Sequence, residues 1–160
     1  IALSLVGSEM CIRDSPNTIP WDTKAAGLYM ICTLSKHEAE KQGYTDSLML
    51  DHEGFIAEAT GANIFFKDKD GTLHTPIPDS FLDGITRRTV IEIANSMNIK
   101  VNERKIKPDE LKNFVGCFLT GTAAEVTPVS QIDKFNYKVC NTIIQLSESY
   151  QQTVRKKKAA

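Results

Sequence analysis

Short apolar segments separated by tight polar turns fill residues 47–75, and they limit what the chain can fold into more than any other feature. Residues 47–50 read as a strand, 51–54 as a turn and 55–57 as the returning strand. Residues 63–66 read as another strand, and the Asp- and Lys-rich stretch 67–71 as a hairpin loop into a strand at 73–75. Pro76 and Pro78 mark irregular chain, and Gly84 then opens a helix whose apolar set is Ile85, Val90, Ile91, Ala94 and Met97. Upstream, residues 27–42 carry a helical pattern with Leu28, Ile31 and Leu34 on one side and Gly43 as the stop. Downstream, the pattern predicts a strand at 99–106, a short helix from Pro108 to Phe114, a strand at 115–120 and a last helix over 138–155. Strands and helices alternate without a steady βαβ rhythm. The expected fold is therefore a mixed α/β, pseudo-barrel-like sheet with surrounding helices.

Composition narrows the functional classes. The chain has 160 residues, with 19 basic against 20 acidic, which argues against a broad nucleic-acid face. No apolar run approaches the roughly 18 residues of a membrane span. Cys11, Cys32, Cys117 and Cys140 are widely spaced and form no CxxC pair. They read as reduced, mostly buried thiols, which implies the cytoplasm. His37, His52 and His74 show no metal-ligand spacing, so no zinc site is expected.

Both ends are unusual. Residues 1–15, IALSLVGSEMCIRDS, open apolar but have no basic stretch ahead, and Glu9, Arg13 and Asp14 sit where a cleavage region is small and neutral. The run resembles adapter read-through and is expected to be a non-native leader outside the fold. The basic run from Arg155 to Lys158 reads as a solvated helix end, and residues 156–160 as a tail.

Four segments can carry chemistry. Lys24 stands among small residues before a helix; it is either a surface lysine or an amine in a tight pocket, able to attack a carbonyl. Glu58 lies where an apolar strand gives way to a small-residue turn. It either faces water or faces a cationic ring nitrogen, and Asn63 can bond the backbone of that turn. The run Leu82-Asp83-Gly84-Ile85-Thr86-Arg87 is either a plain helix start or an anion site made by free amides, with Arg87 and Arg88 solvated or paired. Thr120 to Pro128 contains a glycine turn of small residues, fit for a phosphate, a carboxylate or neither.

Taken together, these segments resemble class IV pyridoxal-phosphate aminotransferases. Glu58, Thr60, Asn63, Ile64 and Phe65, then Leu73 and Thr75, then Leu82, Gly84, Ile85 and Arg87 match the family signature with its spacing. The Lys24 segment and the Gly121-Thr122 turn fall in the expected order, and the likeness covers residues 18–155. Lys24-Ala25-Ala26-Gly27 and Gly121-Thr122-Ala123-Ala124-Glu125 look most like branched-chain amino-acid aminotransferases. D-amino-acid aminotransferases and aminodeoxychorismate lyases of the same fold are the alternatives. A non-catalytic oligomerisation domain is the alternative of another class.

The resemblance implies roles by position. Lys24 would hold pyridoxal 5'-phosphate covalently and move the proton to and from substrate Cα. Glu58 would pair with the ring nitrogen, Tyr29 with the phenolate oxygen, and Leu82 would pack on the ring. Ile85, Thr86 and Thr122 would bind phosphate, while Thr122, Ala123 and Ala124 would take the substrate. The implied partners are an amino acid, a 2-oxo acid such as 2-oxoglutarate, and a second subunit. The family's smaller N-terminal domain, with an arginine for the phosphate and aromatic residues for the substrate side chain, has no counterpart here. Residues 16–155 are thus expected to be the cofactor-binding C-terminal domain, and the isolated piece to be inactive or nearly so.

Overall fold

A computed structural model of the chain describes residues 3–12 and 20–155. The strands among these residues are β1 (Leu3–Ile12), β2 (Asp46–Leu50), β3 (Ile56–Ala59), β4 (Asn63–Lys67), β5 (Leu73–Thr75), β6 (Val101–Glu103), β7 (Gly116–Gly121), β8 (Glu125–Ile132) and β9 (Phe135–Asn136). Among the described residues they join in one nine-stranded mixed sheet, in the order β3-β2-β1-β8-β7-β4-β5-β6, with β9 paired to β8. The helices are α1 (Tyr29–Lys41), α2 (Ile85–Ser96) and α3 (Asn141–Arg155), with single 3-10 segments at Ala26–Leu28 and Pro108–Asn113. The Ile56 amide donates to the Ile106 carbonyl at 2.8 Å, so the chain leaving β6 meets β3 at the far end of the strand order. That closure gives the sheet its pseudo-barrel character.

Alternation of side chains along the strands builds two cores. Ile64, Phe66 and Leu119 point to one face and join Leu5, Leu48, Ile106 and Val129. Phe65 and Phe118 point to the other, where they stack at 4.9 Å under Val90, Ala94 and Leu146 of α2 and α3. α1 covers β1 and β2. No helix among the described residues is long and apolar enough to cross a membrane.

Several sequence expectations need correction. Residues 3–12 do not stand outside the fold. Leu3–Ile12 forms β1, parallel to both β2 and β8, and Leu5 is fully buried. Residues 1–2, 13–15 and the 156–160 tail lie outside the described residues. On α1, Leu34 is 57% exposed; the inward face is Leu28, Cys32, Ser35 and Ala39. On α2, Ile85 is 76% exposed and leaves the core set to Val90 and Ala94, with Ile91 and Met97 partly buried. The strand expected at 99–106 pairs only over Val101–Glu103. β8 had no counterpart in the sequence reading, because Pro128 lacks the amide hydrogen that a ladder uses and reads as a breaker. Gly43 does end α1: at φ +84 it lets the Tyr44 amide reach the Ala39 carbonyl and its own amide reach that of Glu40. Cys32 and Cys117 are buried and Cys140 is partly buried, and none of the three is in a disulfide.

Candidate active site

A cavity of about 380 Å³ opens where the start of α1, the end of β3, the start of α2 and the end of β7 converge. Lys24, Tyr29, Glu58, Leu82, Ile85, Thr86 and Thr122, which come from four separated stretches of sequence, all line it. Ala123 and Ala124 do not line it. They follow Thr122 in the turn between β7 and β8, where Ala123 is exposed and Ala124 packs on the barrel core.

Each side chain is set by local structure. The Thr23 amide and hydroxyl both donate to the Pro20 carbonyl, at 3.1 and 2.8 Å, and fold a tight turn just before Lys24. Buried Leu28 then pins the following 3-10 turn, so the exposed Lys24 stands at the rim of the cavity and Tyr29 begins α1 beside it. Glu58 is only 8% exposed near the end of β3. Burial of a carboxylate calls for a hydrogen-bond partner, and Asn63 supplies one: Nδ2 donates to Glu58 Oε2 at 3.2 Å.

The same asparagine organises the opposite wall. Its Nδ2 also donates to the Leu82 carbonyl at 2.9 Å, and its Oδ1 accepts from the Gly84 amide at 3.2 Å. The sequence reading gave Asn63 its own turn as partner; the structure gives it the chain about twenty residues on. A Cβ at Gly84 would lie 2.4 Å from Asn63 Oδ1, so the close approach needs glycine. Gly84 caps α2 with no side-chain bond, which leaves the first-turn amides free for an anion.

Arg87 sits below that turn and is paired rather than solvated. It is 1% exposed and donates to Asp83 at 2.8 Å, to the Pro76 carbonyl at 2.9 Å and to Glu103 at 2.6 Å. Arg88 is exposed at the cavity edge. Thr86 is buried, and its hydroxyl lies 3.3 Å from that of Tyr150 on α3. The sequence reading began its fourth segment at Thr120 but gave that residue no role of its own; Thr120 is buried in the cavity lining, and its Oγ1 has no hydrogen-bond partner among the described residues. Its place in register with Asn63 was the missing signal, and strand pairing alone reveals it.

The chain is similar to known proteins in sequence and in fold. Residues 10–132 match the family described as amino-transferase class IV. A relative from Rickettsia bellii (strain RML369-C), named "Probable branched-chain-amino-acid aminotransferase", is 50% identical over 127 residues, 79% of this chain and 44% of the relative. The solved branched-chain aminotransferase of Thermoproteus uzoniensis with norvaline superposes with a TM-score of 0.92 at 33% identity, covering 99% of this chain and 53% of that one. The PLP-form (holo-form) of the enzyme from Thermobaculum terrenum gives 0.91 at 34% identity, covering 96% and 51%. The chain thus spans about half the length of the relatives it matches. With the family matched over most of its length, the chain belongs to the class IV amino-transferases.

Proposed function

We propose that this chain is the cofactor-binding part of a pyridoxal-phosphate-dependent branched-chain amino-acid aminotransferase, acting on leucine, isoleucine and valine with 2-oxoglutarate. The observation that carries the reading is that an amine, Lys24, and a buried carboxylate, Glu58, line one cavity with the uncapped start of α2 and the Thr122 turn. The residues fit the cofactor. Thr120 offers a buried hydroxyl without a partner, and Gly84 keeps clear a close approach that a Cβ would fill.

When bound, the pyridine ring acts as an electron sink and acidifies substrate Cα. The chain's own residues do the rest. Lys24 Nζ would hold the cofactor covalently at its aldehyde carbon, with loss of water, and would serve as the base that carries the proton to and from substrate Cα. The Glu58 carboxylate accepts the ring N–H, oriented by Asn63. Tyr29 donates its hydroxyl to the phenolate oxygen, and Leu82 packs against the ring. The amides of Ile85 and Thr86 and the hydroxyls of Thr86 and Thr122 would hold the phosphate. Thr122, at the cavity edge, and the amides of Ala123 and Ala124, in the turn just outside its lining, would take the substrate carboxylate.

Residues 3–12 and 20–155 together form the cofactor-binding domain in this reading, and the substrate side-chain contacts and a phosphate arginine are not among its residues. The protein works in the cytoplasm as a homodimer or larger homo-oligomer. Absorbance supplies the test. Pyridoxal phosphate added to the chain gives a band near about 420 nm that Lys24→Ala abolishes, while the isolated chain turns over leucine and 2-oxoglutarate weakly or not at all. A chain with no such band, or a band unchanged in Lys24→Ala, contradicts the reading. Substrate profiling of the full-length protein separates branched-chain from D-amino-acid transamination.

A further inference from the structure

Thr120 lies on β7, directly opposite Asn63 of β4 and Val126 of β8. Opposed residues on neighbouring strands share a face of the sheet, so Thr120 stands beside Asn63 on the cavity floor. Thr120 is fully buried at 0% exposure, and its Oγ1 has no hydrogen-bond partner among the described residues. Asn63 cannot donate to it, because both amide hydrogens are engaged by Glu58 and Leu82. A buried hydroxyl left unpaired destabilises the fold, and the cavity is the side from which a partner can come.

The neighbouring groups define that partner. Gly121 and Thr122 continue the chain from Thr120, and Gly84, Ile85 and Thr86 bring the uncapped start of α2 to the same cavity. Free amides and hydroxyls converging in this way suit a group with several acceptor oxygens. We propose that Thr120 donates its hydroxyl hydrogen to a phosphate oxygen of the cofactor. The inference rests on the pyridoxal-phosphate reading above and adds a residue to it.

The test titrates pyridoxal phosphate and, separately, pyridoxal into the wild-type chain, Thr120→Val and Thr120→Ser by absorbance, and melts each protein without ligand. Thr120→Val is expected to bind pyridoxal phosphate about tenfold more weakly, to bind pyridoxal as the wild type does, and to melt no lower when empty. Thr120→Ser restores the phosphate ester's affinity. Unchanged affinity in Thr120→Val overturns the proposal. So does an equal loss for both ligands, or a lower melting temperature of the empty variant, which marks a structural hydroxyl. A wild-type chain that binds no pyridoxal phosphate removes the cofactor reading and this proposal together; binding that ignores Thr120→Val removes this proposal alone.

Discussion

Asn63 holds the Glu58 carboxylate and the Gly84 amide with the two ends of one amide group, at 3.2 Å in each case. One buried side chain therefore sets the distance between the carboxylate side of the cavity and the helix start opposite it. Asn63→Ala removes one hydrogen bond each from the Glu58 carboxylate, the Leu82 carbonyl and the Gly84 amide. The expected loss is about 1–3 kcal/mol of stability in the ligand-free protein. Denaturant unfolding measures it, and a loss under half a kcal/mol contradicts the bridging role.

Gly84→Ala tests the same bridge from the helix side. The backbone there, at φ −63 and ψ 141, accepts any residue, so strain of the main chain is not the issue. The added methyl would instead meet Asn63 Oδ1 at 2.4 Å and push the amide aside. The account predicts destabilisation of about 1–3 kcal/mol together with weaker pyridoxal-phosphate binding. A well-bound cofactor in this variant would show that the close approach is dispensable.

Leu5→Ala asks whether residues 3–12 belong to the folded unit. Leu5 is fully buried in β1, and its carbonyl accepts from the Asp133 amide at 2.8 Å. Truncation is expected to cost about 2–5 kcal/mol, as for other buried leucines. A negligible change would mean that β1 contributes nothing to the sheet.

Acid sensitivity follows from Glu110. The Arg104 side chain, 2.7 Å away, is the main cause that lowers its pKa below the ordinary 4.5; partial burial opposes this, and the Lys107 amide adds to the lowering. A lowered folded-state pKa makes a contribution present above the unfolded value and lost as pH falls through the folded one. Glu110→Gln removes that contribution. Wild type is therefore expected to exceed Glu110→Gln in stability near about pH 6, with the gap closing towards about pH 3. Parallel stability curves across that range would contradict the sign.

Much of this was legible in the sequence because period-two apolar segments and glycine punctuation report local structure directly. β4, β5, β7 and α2 followed from that pattern, and so did the gathering of Lys24, Glu58 and Thr122 through the family signature. What stayed hidden depends on pairing across the chain. Thr120 gains meaning only once it lies opposite Asn63, and Asn63 only once Gly84 folds back on it. β8 was obscured by Pro128, and β1 by a composition that reads as foreign to the fold. Leu34 and Ile85 kept their helical positions but face outward, since helical period does not say which side the sheet will cover.

The central claim is that Lys24 is the amine that carries the cofactor, and covalent trapping tests it most directly. Pyridoxal phosphate is added, the mixture is reduced with borohydride, and the modified peptide is identified by mass spectrometry. The account predicts one dominant adduct, on Nζ of Lys24, that Lys24→Arg eliminates. An adduct spread evenly over the other lysines, with none favoured at position 24, contradicts it.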